Sequence, residues 1–302
     1  MDIAWCSDGS PTAMRCLREL PGLLREDMRR DHLLVVVPPL QSVGVTMTFG
    51  SPYLPEAALL EAAEEEGRST LAEGLAILRE AASGERPPPE GVLLHGDPGT
   101  VLLAWLEKQR PDLAVLGTHG RGGLARLLLG SVADHLARHA PCPLLILPGK
   151  AEPAPVTGAV SLLIDGLATG QRLREAADRL IRPRGYAREV VMALHPPPGP
   201  FPGQTLGDPI VDWEVMAAVE RAEALAQLEA VARDWGPGTA THLLLGNVPD
   251  VLSAHLRRTG PALAIVGTHG RKGLERILLG SVADHLIRHA PCPMLLIPVR
   301  AS

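Results

Sequence analysis

The sequence lacks the long apolar segments and the cysteine framework that mark membrane and secreted proteins. Its longest apolar runs, such as Leu33 to Val37, are far shorter than the ~20 residues that cross a bilayer. Met1 is followed almost at once by the apolar stretch Ile3 to Cys6, which leaves no room for a charged leader and a cleavage site. The 4 cysteines do not have the spacing of a small disulfide-bonded fold. We expect a soluble, cytoplasmic protein that does not contact membranes.

The chain also lacks an excess of positive charge and two familiar phosphate-binding motifs. Its formal net charge of −5 argues against a nucleic-acid partner, because such proteins usually carry a strongly basic face. No stretch matches the P-loop pattern that ends in Gly-Lys-Ser/Thr. The dinucleotide pattern Gly-x-Gly-x-x-Gly is absent after either predicted first strand, where Asp8-Gly9 and Asp165-Gly166 stand instead. Any phosphate site must therefore be of another kind.

What the chain does contain is one block of sequence in two copies. Gly117 to Pro148 reads GTHGRGGLARLLLGSVADHLARHAPCPLLILP, and Gly267 to Pro298 reads GTHGRKGLERILLGSVADHLIRHAPCPMLLIP, with 7 differences in 32 positions. Such self-similarity indicates a repeat of whole structural units, each of ~150 residues and large enough for its own core. We predict a first domain at 1–149, a proline-containing linker at 150–157 and a second domain at 158–302.

Strand and helix patterns alternate along both units, which predicts an α/β fold with a parallel sheet covered by helices on both faces. Ser10 with Pro11, and Asp97 with Pro98, have the pattern of helix N-termini. Segments 40–55 and 195–209 are interpreted as loops, because they contain glycine or proline without a clear period. In the first unit the predicted strands are Ile3 to Cys6, Leu33 to Val37, Val92 to His95, Leu113 to Leu116 and Leu144 to Leu147.

The duplicated block has residues suited to phosphate binding. Gly117 and Gly120 allow the backbone to turn sharply and to approach a ligand closely. Gly130-Ser131-Val132 begins a predicted helix, where unpaired N–H groups, the helix dipole and a hydroxyl attract an anion. Because ligands of open parallel sheets lie beyond the carboxyl ends of the strands, Asp8 and Gly117 are expected to be neighbours although they lie 109 residues apart.

A simpler interpretation of the same residues is a capping box. Ser131 followed by Asp134, and Ser281 followed by Asp284, fit a serine that closes a helix without binding any ligand. The complete glycine spacing, present twice, favours the binding interpretation, because a helix cap does not need the glycines of the preceding arc.

With these motifs the sequence resembles a tandem universal stress protein. The pattern is Gly, two residues, Gly, nine residues, Gly-Ser/Thr, and both units match it; Asp at the end of the first strand, Gly-Asp-Pro after the third strand and Pro-x-Pro before the last strand of the first unit also agree. The resemblance implies two Rossmann-like domains, each with an open five-stranded parallel sheet in order 3-2-1-4-5, packed as a pseudo-twofold pair. It also implies one ATP site per domain, with Mg²⁺ and with no metal held by side chains.

Carried over position by position, the resemblance assigns an ATP site to each domain. The first site comprises Asp8, Val37, Leu116, Gly117, Gly120, Gly130, Ser131 and Val132. The second site comprises Asp165, Ala193, Val266, Gly267, Gly270, Gly280, Ser281 and Val282. Candidates for additional phosphate contacts, which as loop residues could equally face solvent, are His119, Arg121, His269, Arg271 and Lys272.

The expected function is that of an ATP-binding stress-response protein in which nucleotide acts as a regulatory ligand. The alternative is a weak ATPase, an adenylate kinase-like enzyme or an autophosphorylating enzyme that uses the same sites, and no catalytic residue is assigned. Ser10 corresponds to Leu167, and Gly122 to Lys272, so the two sites are expected to differ in affinity. A further homodimer is compatible with the sequence. The sequence does not identify a protein partner.

Histidine pairs and cysteines are also repeated in the two units. His135 with His139, and His285 with His289, stand at i and i+4 as in a zinc site, but no third ligand with suitable spacing is nearby, which favours a solvated helix face. Cys142 and Cys292 each lie between prolines and are interpreted as small buried apolar residues rather than redox groups.

Overall fold

The computed structural model describes residues 1–26, 29–39, 56–81, 87–118, 129–149, 158–182, 185–196, 213–268 and 279–298. The loops predicted at 40–55 and, beyond residue 196, at 197–209 lie outside these ranges, as does the linker at 150–157. Within the described residues, no helix has the length and apolarity that a membrane crossing requires.

The first half alternates strands and helices as the sequence predicts. The strands are β1 (Asp2–Ser7), β2 (Arg30–Val37), β3 (Glu90–His95), β4 (Leu113–Gly117) and β5 (Leu144–Leu147). The helices are α1 (Pro11–Glu19), α2 (Glu56–Glu80), α3 (Pro98–Gln109) and α4 (Ser131–His139). β2 and β3 begin before their apolar runs, because backbone pairing continues through polar residues such as Arg30 and Glu90.

Both predicted helix caps are confirmed. The Ser10 hydroxyl accepts a hydrogen bond from the backbone N–H of Ala13 at 3.2 Å. The Asp97 carboxylate accepts one from the N–H of Thr100 at 3.0 Å. These bonds satisfy N–H groups that the first helical turn leaves without intrahelical partners.

The second half repeats the same order of elements. Its strands are β6 (Ala159–Ile164), β7 (Ala187–Leu194), β8 (Ala240–Leu245), β9 (Leu263–Gly267) and β10 (Met294–Ile297). Its helices are α5 (Leu167–Leu180), α6 (Trp213–Trp235), α7 (Val248–Thr259) and α8 (Ser281–His289).

All ten strands of the described chain form one continuous sheet in the order β3-β2-β1-β4-β5-β10-β9-β6-β7-β8. Each half therefore has the order 3-2-1-4-5 in its own numbering. Every pairing is parallel except the one between β5 and β10, which is antiparallel, with Leu145 opposite Leu295. This pairing relates the two halves by a pseudo-twofold axis and joins their sheets into one.

Helices cover both faces of the sheet, and alternate strand residues supply two apolar layers. One layer packs strand residues such as Ile3 and Leu145 against α1, α2, α5 and α6. The other packs Ala4 and Ile146 against α3, α4, α7 and α8. The strands read as nearly continuous apolar runs because both of their faces are buried.

Two further contacts join the halves, one on each face of the sheet. On the face of α1 and α5, Leu24 forms an antiparallel bridge with Ile181. On the opposite face, Arg138 and Arg288 each bind the aspartate of their own helix and that of the other half. The cross-pairs are Arg138 with Asp284 at 3.3 Å and Arg288 with Asp134 at 3.2 Å. We call these four residues the charge quartet.

The end of β4 is tied directly to the start of α4. The Gly130 N–H donates to the carbonyl of Thr118 at 2.7 Å, and the Thr118 N–H donates to the carbonyl of Leu147 at 3.0 Å. A Cβ at position 130 would lie 2.7 Å from the Thr118 carbonyl oxygen, so this approach requires glycine. In the second half, Gly280 and Thr268 repeat the bond at 2.7 Å.

Replacing Leu295 by alanine should lower the free energy of unfolding by about 2–5 kcal/mol, because Leu295 is fully buried at the junction between the halves. The matched control is Leu225→Ala on α6, where the side chain is 41% exposed and a change within about 0.5 kcal/mol is expected. Urea unfolding monitored by circular dichroism measures both. Equal effects of the two substitutions would contradict the tight packing of the junction.

Gly130→Ala should destabilise the protein by about 1–3 kcal/mol, since the added methyl group meets a backbone carbonyl rather than a flexible side chain. Gly22→Ala provides the control, because nothing lies within 4 Å of a Cβ at that position. Equal midpoints of thermal unfolding for the two variants would contradict the close contact between Gly130 and the carbonyl of Thr118.

Candidate functional site

The carboxyl ends of β1 and β4 lie side by side at one edge of the sheet. Their parallel register pairs Trp5 with Val115, and its continuation brings Ser7 beside Gly117. A Cβ at Gly117 would lie 2.7 Å from Cγ2 of Thr12 in α1. The structure therefore brings Gly117 and the turn that contains Asp8 together across 109 residues of sequence.

The turn after β1 is held by short-range hydrogen bonds. Asp8 Oδ1 accepts from the backbone N–H of Ser10 at 3.0 Å, and Ser7 Oγ accepts from that of Gly9 at 3.2 Å. Gly9 has a φ of 76°, in the left-handed region that favours glycine. The sequence Asp-Gly thus fixes a carboxylate at the start of α1, beside the end of β4.

Within the described residues, no side chain caps the start of α4. Gly130 is the N-cap residue and forms no side-chain cap, while Ser131 is the first helical residue and is exposed. The capping-box interpretation of Ser131 is therefore wrong, and the same holds for Ser281, because Gly280 occupies the N-cap of α8. A helix start of this kind offers backbone N–H groups and the positive end of the helix dipole.

The acidic residue in this first turn is neutralised by arginines. Asp134 accepts hydrogen bonds from Arg138 at 2.9 and 3.0 Å and lies 3.2 Å from Arg288 of the other half. The hydrogen bonds from Arg138 are the main cause of the lowered pKa of Asp134. The arginines of the charge quartet thus balance the negative charge of Asp134, which lessens its repulsion of an anion at the helix start.

The start of α3 lies against the same region. A Cβ at Gly99 would lie 3.4 Å from Cδ2 of His135 in α4. Asp97 caps α3, and the hydrogen bond from the Thr100 backbone lowers the pKa of this carboxylate. Two helix N-termini therefore meet at one edge of the sheet.

Sequence reasoning missed Thr118, which fixes the position of α4. Besides its carbonyl bond to Gly130, its hydroxyl accepts a hydrogen bond from the N–H of Gly149 at 2.8 Å. Thr118 is only 3% exposed. The sequence feature that points to Thr118 is its repetition, because Thr118 and Thr268 occupy the same place in the two copies of the block.

The apolar residues that the resemblance assigns to the ATP sites lie near strand ends, but their side chains face opposite sides of the sheet. Val37 packs toward α2, where its Cγ2 would lie 2.8 Å from a Cβ at Gly67. Leu116 and Val266 belong to the apolar layer beneath α3, α4, α7 and α8. Ala193 packs against that same layer and is partly exposed.

The second half repeats the edge with one clear difference. Asp165 and Gly166 follow β6, but Leu167 occupies the place of Ser10 and is 38% exposed. The backbone N–H of Leu167 donates to Oε1 of Gln227 on α6 at 3.1 Å, whereas its counterpart in the first half, the N–H of Ser10, donates to the Asp8 carboxylate. Gly267, Gly280, Ser281 and Val282 keep the positions of their counterparts at the end of β9 and the start of α8.

Part of the predicted site lies outside the described residues. These positions are Gly120, Gly270, His119, Arg121, His269, Arg271 and Lys272. Their contribution to phosphate binding stays a prediction.

The paired histidines contact each other. The rings of His135 and His139 are 4.7 Å apart, and Nδ1 of His139 lies 2.8 Å from the carbonyl oxygen of His135. His285 and His289 are stacked at 4.3 Å. Burial is the main cause of the lowered pKa of His285. Within the described chain, neither pair belongs to a group of three or more side chains placed to hold a metal ion.

The cysteines in the Pro-Cys-Pro segments are buried and free, as the sequence indicates. Burial raises the pKa of the Cys142 and Cys292 thiols to about 12. A thiol with so high a pKa stays protonated at neutral pH and is a poor nucleophile.

Comparisons with known proteins agree with this architecture. The model of the universal stress protein family matches residues 2–148 and again residues 160–298. Universal stress protein Rv1996 of Mycobacterium tuberculosis is 30% identical over 222 residues, which cover 72% of this chain and 68% of the relative. A universal stress protein of Mycolicibacterium smegmatis is 25% identical over 290 residues, covering 91% of this chain and 90% of that protein.

A solved structure shows the same fold over nearly the whole chain. The universal stress protein from Archaeoglobus fulgidus superposes with a TM-score of 0.64 at 16% identity, covering 98% of each chain. With a family match in each half and a relative at 30% identity, the chain belongs to the universal stress protein family.

Proposed function

We propose that each half binds one adenine nucleotide, ATP with Mg²⁺, at the carboxyl edge of its strands. The observation that carries this proposal is the position of the α4 start, which the bond between Gly130 and Thr118 holds beside the ends of β1 and β4. The uncapped N–H groups and the hydroxyl of Ser131 would bind phosphate oxygens. The helix dipole alone adds only about 0.3–1 kcal/mol, so the glycine-rich arc must supply further donors.

The other end of the nucleotide would lie toward the turn after β1. Asp8 is a fixed carboxylate close to Gly117, which suits hydrogen bonding to the nucleoside. Gly117 leaves room for close approach of a flat ligand, because it has no Cβ. Mg²⁺ would be held largely by phosphate oxygens and water, as is usual for nucleotide complexes.

We further propose that the nucleotide acts as a regulatory ligand. A phosphate bound at the start of α4 would fix the helix that carries Asp134 and Arg138. These two residues contact Arg288 and Asp284 of the other half. Occupancy of one site would thus bear directly on the contact between the halves, and on any partner that recognises their arrangement.

ATP with Mg²⁺ should raise the melting temperature of the protein. At a ligand concentration of 100 times the dissociation constant, each site would stabilise the folded state by about 2.7 kcal/mol. The double variant Ser131→Glu with Ser281→Glu should lose this shift, because each new carboxylate repels phosphate. Both serines are exposed, and an acidic residue at a helix start favours the helix, so the variant should still fold.

The control is Gln109→Glu, which adds one negative charge at the exposed end of α3, away from the helix starts, and should keep the full ATP shift. The absence of a shift with any nucleotide would refute the proposal, as would an unchanged shift in the double variant. Mass spectrometry of gently purified protein measures the stoichiometry of nucleotide that co-purifies, which is expected to approach two per chain.

The two sites should have different affinities. Ser10 is buried at the first site, whereas the second has a partly exposed leucine at that position, and Asp97 is replaced by Asn247, which forms no side-chain cap. Calorimetric titration of Ser281→Glu reports the first site alone, and that of Ser131→Glu reports the second. Identical dissociation constants in the two single variants would contradict this prediction.

A further inference from the structure

The second half contains a cluster of ionisable side chains away from the proposed nucleotide sites. It consists of Glu189 on β7, His242 on β8 and His255 on α7. Oε2 of Glu189 lies 3.3 Å from Nε2 of His242, and Oε1 lies 3.3 Å from Nε2 of His255. All three potential ligand atoms lie within 4.8 Å of one another. We call these three residues the Glu-His-His cluster.

The first half shows that the fold does not require this cluster. Glu189 is the third residue of β7, and the third residue of β2 is His32. Likewise Val92 of β3 corresponds to His242, and Trp105 of α3 corresponds to His255. There the rings of His32 and Trp105 pack 5.6 Å apart. The second half therefore has an acid and two histidines at the positions where the first half has a histidine, a valine and a tryptophan.

The cluster lies in an environment where charged groups are costly. Glu189 is 5% exposed and His255 is 3% exposed. Buried charges in proteins are generally paired or bound to metal ions. The hydroxyl of Ser161, which corresponds to Ala4 in the first half, donates a hydrogen bond to Oε1 of Glu189. This additional polar replacement orients the carboxylate.

His242 connects the cluster with solvent. Its strand, β8, is at the edge of the sheet, and the His242 side chain is 36% exposed. An ion could reach the carboxylate past this ring without unfolding of the core.

We propose that the Glu-His-His cluster binds a divalent zinc ion. Two imidazole nitrogens and one carboxylate oxygen form a common donor set for zinc, with water as the fourth ligand. Bonds of about 2.0–2.1 Å in a tetrahedron place neighbouring ligand atoms about 3.4 Å apart. Each imidazole nitrogen lies at about this spacing, 3.3 Å, from its nearer oxygen of the Glu189 carboxylate, Oε2 for His242 and Oε1 for His255.

Zinc binding would require a change in the tautomer of His255. A guanidinium nitrogen of Arg258 lies 3.1 Å from Nδ1 of His255, so Nδ1 accepts and the ring proton resides on Nε2, facing Glu189. When zinc takes the Nε2 lone pair, the proton moves to Nδ1, and the exposed Arg258 must turn away.

This site is separate from the proposed nucleotide sites. Glu189 lies five residues before the carboxyl end of β7 at Leu194, which corresponds to about 16 Å along the strand. Failure of zinc binding therefore leaves the nucleotide proposal untouched, and the reverse also holds.

The test is a titration of the metal-free full-length protein with zinc chloride against a chromophoric chelator. The expected result is one tightly bound zinc ion per chain. His242→Val, which installs the residue of the first half, should lower the affinity at least tenfold, and Glu189→Gln should do the same. His285→Ala is the control, because it disrupts the stacked histidine pair on α8 and should leave the tight site intact.

Two further readouts distinguish a metal site from a hydrogen-bonded polar cluster. Cobalt(II) should give the intense visible bands of tetrahedral coordination, and His242→Val should remove them while circular dichroism confirms an unchanged fold. Arg258→Gln should strengthen zinc binding several-fold, since it removes a cation and frees Nδ1 to donate. The proposal is overturned if the protein binds no zinc in this competition, if His242→Val leaves the affinity unchanged, or if Arg258→Gln weakens binding.

Discussion

The antiparallel pairing of β5 with β10 is the interaction on which the molecule as a whole depends. Each half alone would end in an open strand edge, β5 or β10, whose apolar side chains are buried in the paired structure. Exposed apolar edges of this kind promote association with other chains. Duplication provides each half with a permanent partner, and the parallel order on either side of the junction then follows from the strand sequence within each half.

The same junction brings the starts of α4 and α8 into one electrostatic unit. The charge quartet joins Asp134 and Arg138 of one half to Asp284 and Arg288 of the other. These pairs are partly exposed, and each is worth little as a source of stability. Their importance lies in position, because they connect the two helices that would carry the phosphates of the proposed nucleotides. In the proposed mechanism, a change at one site would reach the other through these direct contacts.

The two halves have nearly the same sequence in some regions and different sequences in others. The sequences around Gly117 and Gly267 are nearly the same, whereas Ser161, Glu189, His242 and His255 of the second half differ from the residues at the corresponding positions of the first. Buried polar replacements of this kind reduce apolar packing and persist when their hydrogen-bonding groups are satisfied or when they bind a ligand. Comparison of corresponding positions in the two halves thus indicates which residues the shared fold does not require.

The sequence by itself determined the repeat, the alternation of strands and helices, and the glycine and serine positions at the ends of the strands. These properties are local, since apolar periodicity, cap residues such as Ser10 and Asp97, and glycine spacing act over a few residues. Only the tertiary structure decided the role of Thr118, the identity of Gly130 as the N-cap, and the meeting of Glu189, His242 and His255 from three separate elements. Their contacts depend on strand register and helix packing between distant segments, and no spacing along the chain encodes those distances.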